Sequence, residues 1–233
     1  MEGPKVALIT GGGMTASDRA SIYSQSQSKR AFASTYATWK RIDLVAANAG
    51  ITETRPSLCD YRSVAEQDLP PAPNLKVMEV NLTAALHTVW LASHYMLKSG
   101  NGWGRIIVTS SSAGIYPTPF QPLYAASKHA LVGLVRSLGP ILSKDGITIN
   151  ALLPGLVLTG LTKGAKSLPE FLTPTATVVK ACERFIETND TGLCAEISKD
   201  NIYLREQASY SDETQKRVLT KLAESATPDF TIP

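Results

Sequence analysis

Short runs of apolar and β-branched residues alternate with longer segments of helical periodicity along most of the chain. The runs hold few polar positions, which is typical of strands buried on both faces of a parallel sheet. They predict strands over 6–10, 42–47, 105–110, 147–153 and 193–198. The segments between them predict helices over 29–41, 74–98, 124–143 and 174–187. Strands that alternate with helices in this way indicate an α/β fold.

Three segments depart from this alternation. Residues 14–30 are polar and rich in serine and glutamine, so we predict an irregular loop there. Residues 52–73 contain four prolines and form a second predicted loop. Residues 160–233 would supply a substrate lid near 161–173, the last strand and a polar tail. A chain of 233 residues suits one domain, so we treat 1–233 as a single domain.

The first predicted helix carries an apolar stripe formed by Phe32, Tyr36 and Trp39. Residues at this spacing share one face of a helix. We therefore expect all three side chains to face the core.

A serine cluster and a Tyr-x-x-x-Lys pair lie between the third predicted strand and the next helix. Ser111 stands at the end of the strand, and Lys128 follows Tyr124 by four residues. Four residues on a helix place Tyr124 and Lys128 on one face, about one turn apart. An ammonium close to a phenol favours the phenolate, so we expect Lys128 to lower the pKa of Tyr124. We predict that Ser111 points at the same reacting oxygen.

The first predicted strand leads into three glycines, Gly11 to Gly13. A strand, a glycine-rich turn and a helix N-terminus together form the phosphate-binding start of a doubly wound fold. The alternative is an ordinary strand-to-helix turn without a ligand. Asp18 would add a negative charge where a phosphate has to bind.

Composition narrows the class of protein. Hydrophobic residues make up 43% and charged residues 18% of the chain, as in soluble globular domains. The net charge of +3 is spread without a basic block, which argues against a nucleic-acid partner. The apolar runs are too short to span a bilayer, so we expect no membrane partner. The three cysteines are few and lack metal-ligand spacing, which predicts reduced thiols and no metal site. The chain begins with a predicted strand and shows no signal peptide, so we expect a cytoplasmic location.

Taken together, the motifs resemble those of the short-chain dehydrogenase/reductase family. The matching pieces are ALITGGG at 7–13, Asn48-Ala49-Gly50, Asn81 within VNLTAAL, Ser111, Tyr124 with Lys128, and Pro154-Gly155 followed by Thr159. The segment FQPLYAASKHALVGLVRSL is most similar to the branch that includes the NAD-linked hydroxyprostaglandin dehydrogenases. The resemblance covers nearly all of the chain from Arg41 onward.

The resemblance implies a Rossmann-like doubly wound parallel sheet and assigns roles to individual residues. The catalytic set is Asn81, Ser111, Tyr124 and Lys128. In the family the Asn opens its helix locally, and its backbone carbonyl holds a water of the proton relay. Gln121 matches a residue on the substrate side. The residues implied to bind NAD or NADP are Gly11, Asn48, Gly50, Lys128, Pro154, Gly155, Val157 and Thr159.

The nucleotide-binding half is shorter than the resemblance requires. Only 38 residues separate Thr10 from Asn48, which is enough for one helix and a loop. The family uses this interval for three helices and two further strands. We therefore predict that its second and third strands are missing, which leaves the order 1-4-5-6-7. Thr15 and Ser17 stand where the family has the last two glycines of its phosphate-binding turn.

Three functions stay open at this point. The first is a short-chain oxidoreductase that interconverts a secondary alcohol and a ketone of a small apolar metabolite in specialised metabolism. The second is an acid–base enzyme without a cofactor, such as an isomerase, dehydratase or cyclase. The third is a non-catalytic truncated relative that acts as a binding partner, and a misjoined coding sequence would produce the same deletion. The family also implies a homodimer or homotetramer.

Overall fold

One sheet organises the described part of the chain, which consists of residues 5–11, 25–63, 69, 71–162 and 168–225 of the computed structural model. Six strands of these residues form the sheet in their sequence order. They are β1 (Ala7–Ile9), β2 (Leu44–Ala47), β3 (Gly104–Thr109), β4 (Ile147–Pro154), β5 (Cys194–Ser198) and β6 (Asn201–Leu204). The first five run parallel, and β6 pairs antiparallel with β5. The predicted α/β class and its parallel sheet are confirmed.

Helices cover both faces of this sheet. They are α1 (Gln25–Trp39), α2 (Lys76–Met78), α3 (Ala84–Ser99), α4 (Pro122–Leu142) and α5 (Thr175–Glu187), while a sixth helix, α6 (Glu213–Ser225), is exposed over residues 213–224. A π-helical turn (Glu79–Thr83) connects α2 directly to α3. The larger apolar cluster lies under α1, α3 and α4, and a smaller one lies under α5. None of the helices within the described ranges is long and apolar enough to cross a membrane.

Helix α1 corrects two expectations about the N-terminal region. It begins at Gln25, so residues 25–30 are helical rather than part of a loop. Phe32 is buried and stacks on Tyr95 of α3, which shows that packing on α3 outweighs the weak local helix propensity. Trp39 is 57% exposed and does not face the core, because it lies at the last turn of α1, beyond Tyr36. The expected phosphate turn at Thr15, Ser17 and Asp18 lies outside the described residues.

Strand β6 was not expected from the sequence. A two-residue turn at Lys199 and Asp200 joins it to β5, and Lys199 has a φ of 51°. Tight hairpins of this kind are usually signalled by Asn-Gly or a similar pair, because such residues adopt positive φ readily. Positive φ is uncommon for lysine, so Lys199-Asp200 does not signal a hairpin in the sequence. The strand also has only one partly buried position, Ile202, which leaves no clear alternation.

The two faces of β1 and β2 are covered unequally. Leu8, Val45 and Ala47 face α1 and α3, and both Val45 and Ala47 are buried. On the opposite face, Ile9 is 62% exposed. Strand β1 is also the end strand of the sheet in the described part of the chain. This edge therefore has an apolar face that the described helices leave open.

Asp43 lies directly before β2, at the N-terminal edge of the sheet, and connects β2 to the start of β1. Its carboxylate accepts hydrogen bonds from the Val6 amide at 2.8 Å and from both Nε and Nη2 of Arg41 at 2.8 and 2.7 Å. Burial alone would raise the pKa of Asp43. The Arg41 and Val6 hydrogen bonds and the Arg41 charge outweigh burial and lower this pKa below its ordinary value.

Replacing Asp43 with alanine should lower the free energy of unfolding by about 3 kcal/mol at pH 7, because it removes the buried carboxylate that accepts from Arg41 and leaves the Val6 amide without that acceptor. The loss should shrink as the pH falls below about 3.9 and through the lower folded-state pKa, since the wild-type carboxylate is then protonated. Urea unfolding at pH 7, 5 and 3 measures both effects. Asp145→Ala, which removes an exposed carboxylate, serves as the control. A loss that does not change with pH would contradict the ionic explanation.

Candidate active site

The C-terminal ends of β2, β3 and β4 meet at one edge of the sheet. Asn48 follows β2, Ser110 follows β3, and Pro154 ends β4. Because parallel strands end at the same edge, residues from distant parts of the chain are brought together there. This is the edge at which open α/β sheets bind their ligands.

Ser111 and Tyr124 are in contact. Ser111 has an extended backbone and caps the 3-10 turn at Ser112–Gly114, where its Oγ accepts a hydrogen bond from the Ala113 amide at 3.2 Å. Tyr124 lies in the first turn of α4, and the Ser111 side chain lies close enough to its phenol to lower the phenol's pKa. The structure therefore brings these two side chains together, and their joint action on one reacting oxygen stays a prediction.

The pKa of Tyr124 is raised, which contradicts the expectation that Lys128 would lower it. Burial of the phenol is the larger cause and raises the pKa, while the Ser111 hydrogen bond lowers it by less. Lys128 Nζ lies 5.7 Å from the centre of the Tyr124 ring and donates instead to the Thr109 carbonyl oxygen at 2.8 Å. Desolvation outweighs the attraction between the two groups, so the phenol stays neutral at rest.

Lys128 is only 3% exposed. Burial lowers the pKa of its ammonium from the ordinary 10.5 to about 8. The same cause thus moves Tyr124 and Lys128 toward their neutral forms. Lys128 is poised to release or take up a proton close to neutral pH.

Asn81 is fully buried in the π-helical turn and connects two parts of the site. Its side-chain amide pairs with the Ile51 backbone in both directions, accepting from the Ile51 nitrogen at 2.8 Å and donating to the Ile51 oxygen at 3.0 Å. The same amide nitrogen donates to Ser127 Oγ at 3.4 Å. A Cβ added to Gly50 would lie 3.4 Å from Asn81 Oδ1 and 3.6 Å from Lys128 Nζ, so this glycine adjoins both side chains.

Two threonines that the sequence did not single out shape the turn after β2. Thr10 Oγ1 accepts from the Asn48 and Ala49 amides at 3.0 and 3.2 Å. Thr109 Oγ1 donates to Asn48 Oδ1 at 3.0 Å. Both threonines end or directly follow a predicted strand, and that position was the available signal. Gly11 is required here because it has a φ of 78° and a Cβ would lie 2.7 Å from Ala49 Cα.

The segment after β4 is less closely connected to this cluster. Gly155 continues the sheet through its amide, which donates to the Ile197 oxygen at 2.8 Å. Thr159 is exposed, and its described hydrogen bonds stay within its own loop, to Leu161 and Thr162. The Val157 oxygen accepts from Thr162 Oγ1. The structure therefore places these predicted cofactor residues at the C-terminal edge of the sheet, as expected. None of the described hydrogen bonds connects Thr159 to Tyr124. The predicted lid at 161–173 lies partly outside the described residues.

Gln121 takes part in the site through a contact that the sequence did not predict. It occupies the N-cap of α4, and its Nε2 donates to Thr52 Oγ1 at 2.6 Å. Next to it, Glu53 Oε2 accepts from the Leu123 and Tyr124 amides at 2.8 and 3.1 Å. Thr52 and Glu53 lie in an irregular loop without periodicity, so no sequence signal marked them.

The residues present suit the nicotinamide end of a dinucleotide better than its adenosine end. The buried Lys128 amine and the amide side chain of Asn48 meet at one edge, beside Gly50. At the adenosine end, no strand of the described residues lies beyond β1 to supply the acidic residue that binds a ribose.

Comparison with known proteins assigns the family. A family model described as short chain dehydrogenase matches residues 17–169, and this chain belongs to that family. The chain is 35% identical over 184 residues to the short-chain dehydrogenase/reductase prx6 of Penicillium rubens, with 76% of this chain and 61% of prx6 covered. It is 40% identical over 89 residues to human 15-hydroxyprostaglandin dehydrogenase [NAD(+)], with 37% of this chain and 34% of that protein covered. The chain thus spans less than two thirds of the length of prx6 and about one third of the length of the human enzyme.

Solved structures support the same fold. A structure of ElxO with NADP bound superposes with a TM-score of 0.67 at 20% identity, over 83% of this chain and 96% of that chain. Levodione reductase superposes with a TM-score of 0.65 at 21% identity, over 83% of this chain and 86% of that chain. At these identities the likeness shows the fold alone. The resemblance to this family and its Rossmann-like fold is confirmed.

Replacing Lys128 with methionine should change how stability depends on pH. The folded wild type holds fewer protons than the unfolded chain between pH 8 and 10.5, because burial lowers the pKa of Lys128 to about 8. Its free energy of unfolding should therefore rise through this window by roughly 3 kcal/mol relative to the variant. Urea unfolding at pH 7, 8.5 and 10 measures the difference. Parallel pH profiles for the two proteins would show that Lys128 is not desolvated.

Proposed function

We propose that this protein is an NAD- or NADP-dependent oxidoreductase that interconverts a secondary alcohol and a ketone of a small apolar metabolite. The supporting observation is that the Ser111 side chain lies beside the Tyr124 phenol, with Lys128 buried one turn along α4. Family membership adds the expected class of reaction. A nicotinamide cofactor, when bound, exchanges a hydride with the substrate carbon.

The residues of this chain would handle the proton. The raised pKa of Tyr124 keeps its phenol neutral, which suits donation of a proton to the oxygen of a ketone during reduction. Ser111 would donate a hydrogen bond to the same developing oxyanion. In oxidation the alcohol proton returns to Tyr124, which must first lose its own proton. Reduction should therefore be favoured at neutral pH, and alcohol oxidation should gain as the pH rises.

Binding of the cofactor and the proton relay would use the remaining residues of the site. We assign the nicotinamide end to Lys128 and to the edge residues Gly11, Asn48, Gly50, Pro154, Gly155, Val157 and Thr159. Asn81 would anchor the water path to solvent, and Gln121 would face the substrate. The neutral amine of Lys128 at pH above about 8 is suited to pass protons along such a path.

Exposed apolar side chains support an apolar substrate. Phe120, just before α4, is 76% exposed, and Leu158 and Leu161, after β4, are 43% and 46% exposed. Phe171, in the lid, is 58% exposed. Because these loops leave the C-terminal edge of the sheet, their apolar side chains are available to cover a ligand there. Kinship with fungal relatives such as prx6 supports a place in specialised metabolism.

We also propose that the nucleotide half lacks the second and third strands of the family, so that β1 pairs directly with the strand before Asn48. The edge position of β1 and the direct passage from α1 into β2 support this. The same edge favours a second candidate function, an acid–base enzyme that works without nucleotide.

The three free cysteines Cys59, Cys182 and Cys194 support a reducing compartment such as the cytoplasm.

Titration with NAD and NADP separates the two candidates. If the first holds, nucleotide should raise the melting temperature by mass action, and a matching ketone should be reduced. Tyr124→Phe should lower kcat by about 10²–10⁴ while nucleotide still raises the melting temperature. No thermal shift at millimolar nucleotide would overturn the redox proposal. Turnover without nucleotide that Tyr124→Phe abolishes would establish the second candidate.

We propose a homodimer or homotetramer that forms through α3. Leu86, Trp90 and Leu97 are 38%, 62% and 52% exposed on this helix. Leu86 and Trp90 share a face at a spacing of four residues, and a second copy of the chain would bury them.

Trp90→Glu should convert the oligomer to monomers in sedimentation velocity, because it puts a charge at the centre of this face. Trp39→Glu is a matched control, since Trp39 is similarly exposed at 57% but lies on α1. A wild-type monomer, or dissociation by both substitutions alike, would contradict the proposed interface.

A further inference from the structure

Helix α4, which carries Tyr124 and Lys128, begins without a cap of its own. Gln121 at the N-cap makes no side-chain capping bond, and its Nε2 donates instead to Thr52 Oγ1. Pro122 at the first helical position has no N–H. The first amides that need an acceptor are those of Leu123 and Tyr124.

Glu53 supplies this acceptor from a distant part of the sequence. Its Oε2 accepts from the Leu123 amide at 2.8 Å and from the Tyr124 amide at 3.1 Å. Glu53 lies 70 residues before Leu123 in the chain. A carboxylate at a helix N-terminus is also favoured by the helix dipole. One of the two bonds is made to the backbone amide of Tyr124 itself, so Glu53 holds the backbone from which the Tyr124 side chain extends.

Three consecutive residues of one loop connect the parts of the site. Ile51 pairs with Asn81, Thr52 receives the hydrogen bond from Gln121, and Glu53 holds the start of α4. The loop thereby links the π-helical turn to the helix of Tyr124. Ser111 lies on a separate segment, directly after the end of β3.

We propose that Glu53 is a positioning residue that holds the Tyr124 phenol against Ser111. Its role in turnover rests on the proposed function. Removal of the carboxylate would leave two helix amides without an acceptor and free the first turn of α4 to shift. A displacement of about 1 Å at a reacting group can cost on the order of 10² in rate.

The second oxygen of Glu53 makes a conservative variant informative. Oε1 is buried and has no hydrogen-bond partner. Glu53→Gln can keep its carbonyl oxygen on both amides and place its NH₂ at this partnerless position. The glutamine variant should therefore retain the geometry, whereas Glu53→Ala should lose it.

Asp60 offers a matched control in the same region of the chain. Its carboxylate also serves as a cap, accepting from the Ser57 amide at 2.7 Å, and it pairs with Arg55 at 2.7 Å. Asp60→Ala removes a capping carboxylate of the same kind, but the bonds of Asp60 hold a 3-10 turn at Leu58–Arg62 and not α4.

The test compares Glu53→Ala, Glu53→Gln, Glu53→Asp and Asp60→Ala in the full chain. Glu53→Ala should lower kcat by about 10- to 100-fold with unchanged nucleotide affinity. Glu53→Gln and Asp60→Ala should stay within threefold of the wild type. Glu53→Asp, whose carboxylate reaches less far, should fall between them and replaces the alanine variant if that fails to fold. Equal losses for Glu53→Ala and Asp60→Ala, or none for either Glu53→Ala or Glu53→Asp, would overturn the proposal.

A second readout does not depend on turnover. Protein labelled with ¹³Cζ-tyrosine reports the environment of each phenol, and Tyr124→Phe identifies the Tyr124 signal. Glu53→Ala should shift this signal and Glu53→Gln should restore it, while Asp60→Ala should leave it in place. A wild type without turnover would refute the proposed function, yet this signal would still decide whether Glu53 positions Tyr124. An unchanged signal in Glu53→Ala would overturn the inference.

Discussion

Burial of the Lys128 amine under the C-terminal edge of the sheet is the constraint on which the site depends. The amine is taken from water and keeps one described acceptor, the Thr109 carbonyl at 2.8 Å. Since this carbonyl ends β3, the bond joins α4 to the strand that leads to Ser111. The cost of burying a charge also explains why Lys128 and the nearby phenol shift toward their neutral forms.

A neutral phenol changes how the Tyr-x-x-x-Lys pair works at rest. Lys128 does not hold Tyr124 as a phenolate in this structure, so the phenol is ready to give a proton and not to take one. In the proposed reaction, this protonation state would favour reduction near neutral pH. The neighbouring polar groups, including Asn81 and Ser127, are satisfied by one another, which keeps the arrangement rigid before any ligand binds.

The strands of the sheet differ in how deeply they are buried around this site. Strands β3 and β4 are central and buried, and they end at the edge that holds the candidate site. Strand β1 is at the end of the sheet and has an open apolar face at Ile9. The strands at the centre of the described sheet are thus fully packed, while β1, the end strand of its described part, has one face that is left open.

The sequence by itself determined the α/β class, the five parallel strands and the place of Ser111, Tyr124 and Lys128. Buried strands have continuous apolar runs, and helix spacing is a local property, so both can be read from adjacent residues. It did not determine β6, the exposure of Trp39 or the first turns of α1, because each depends on a neighbour in space. Tertiary structure alone decided that Glu53 caps α4 from 70 residues away and that the pKa of Tyr124 rises. Burial and long-range hydrogen bonds arise only when distant segments meet, and no local pattern records them.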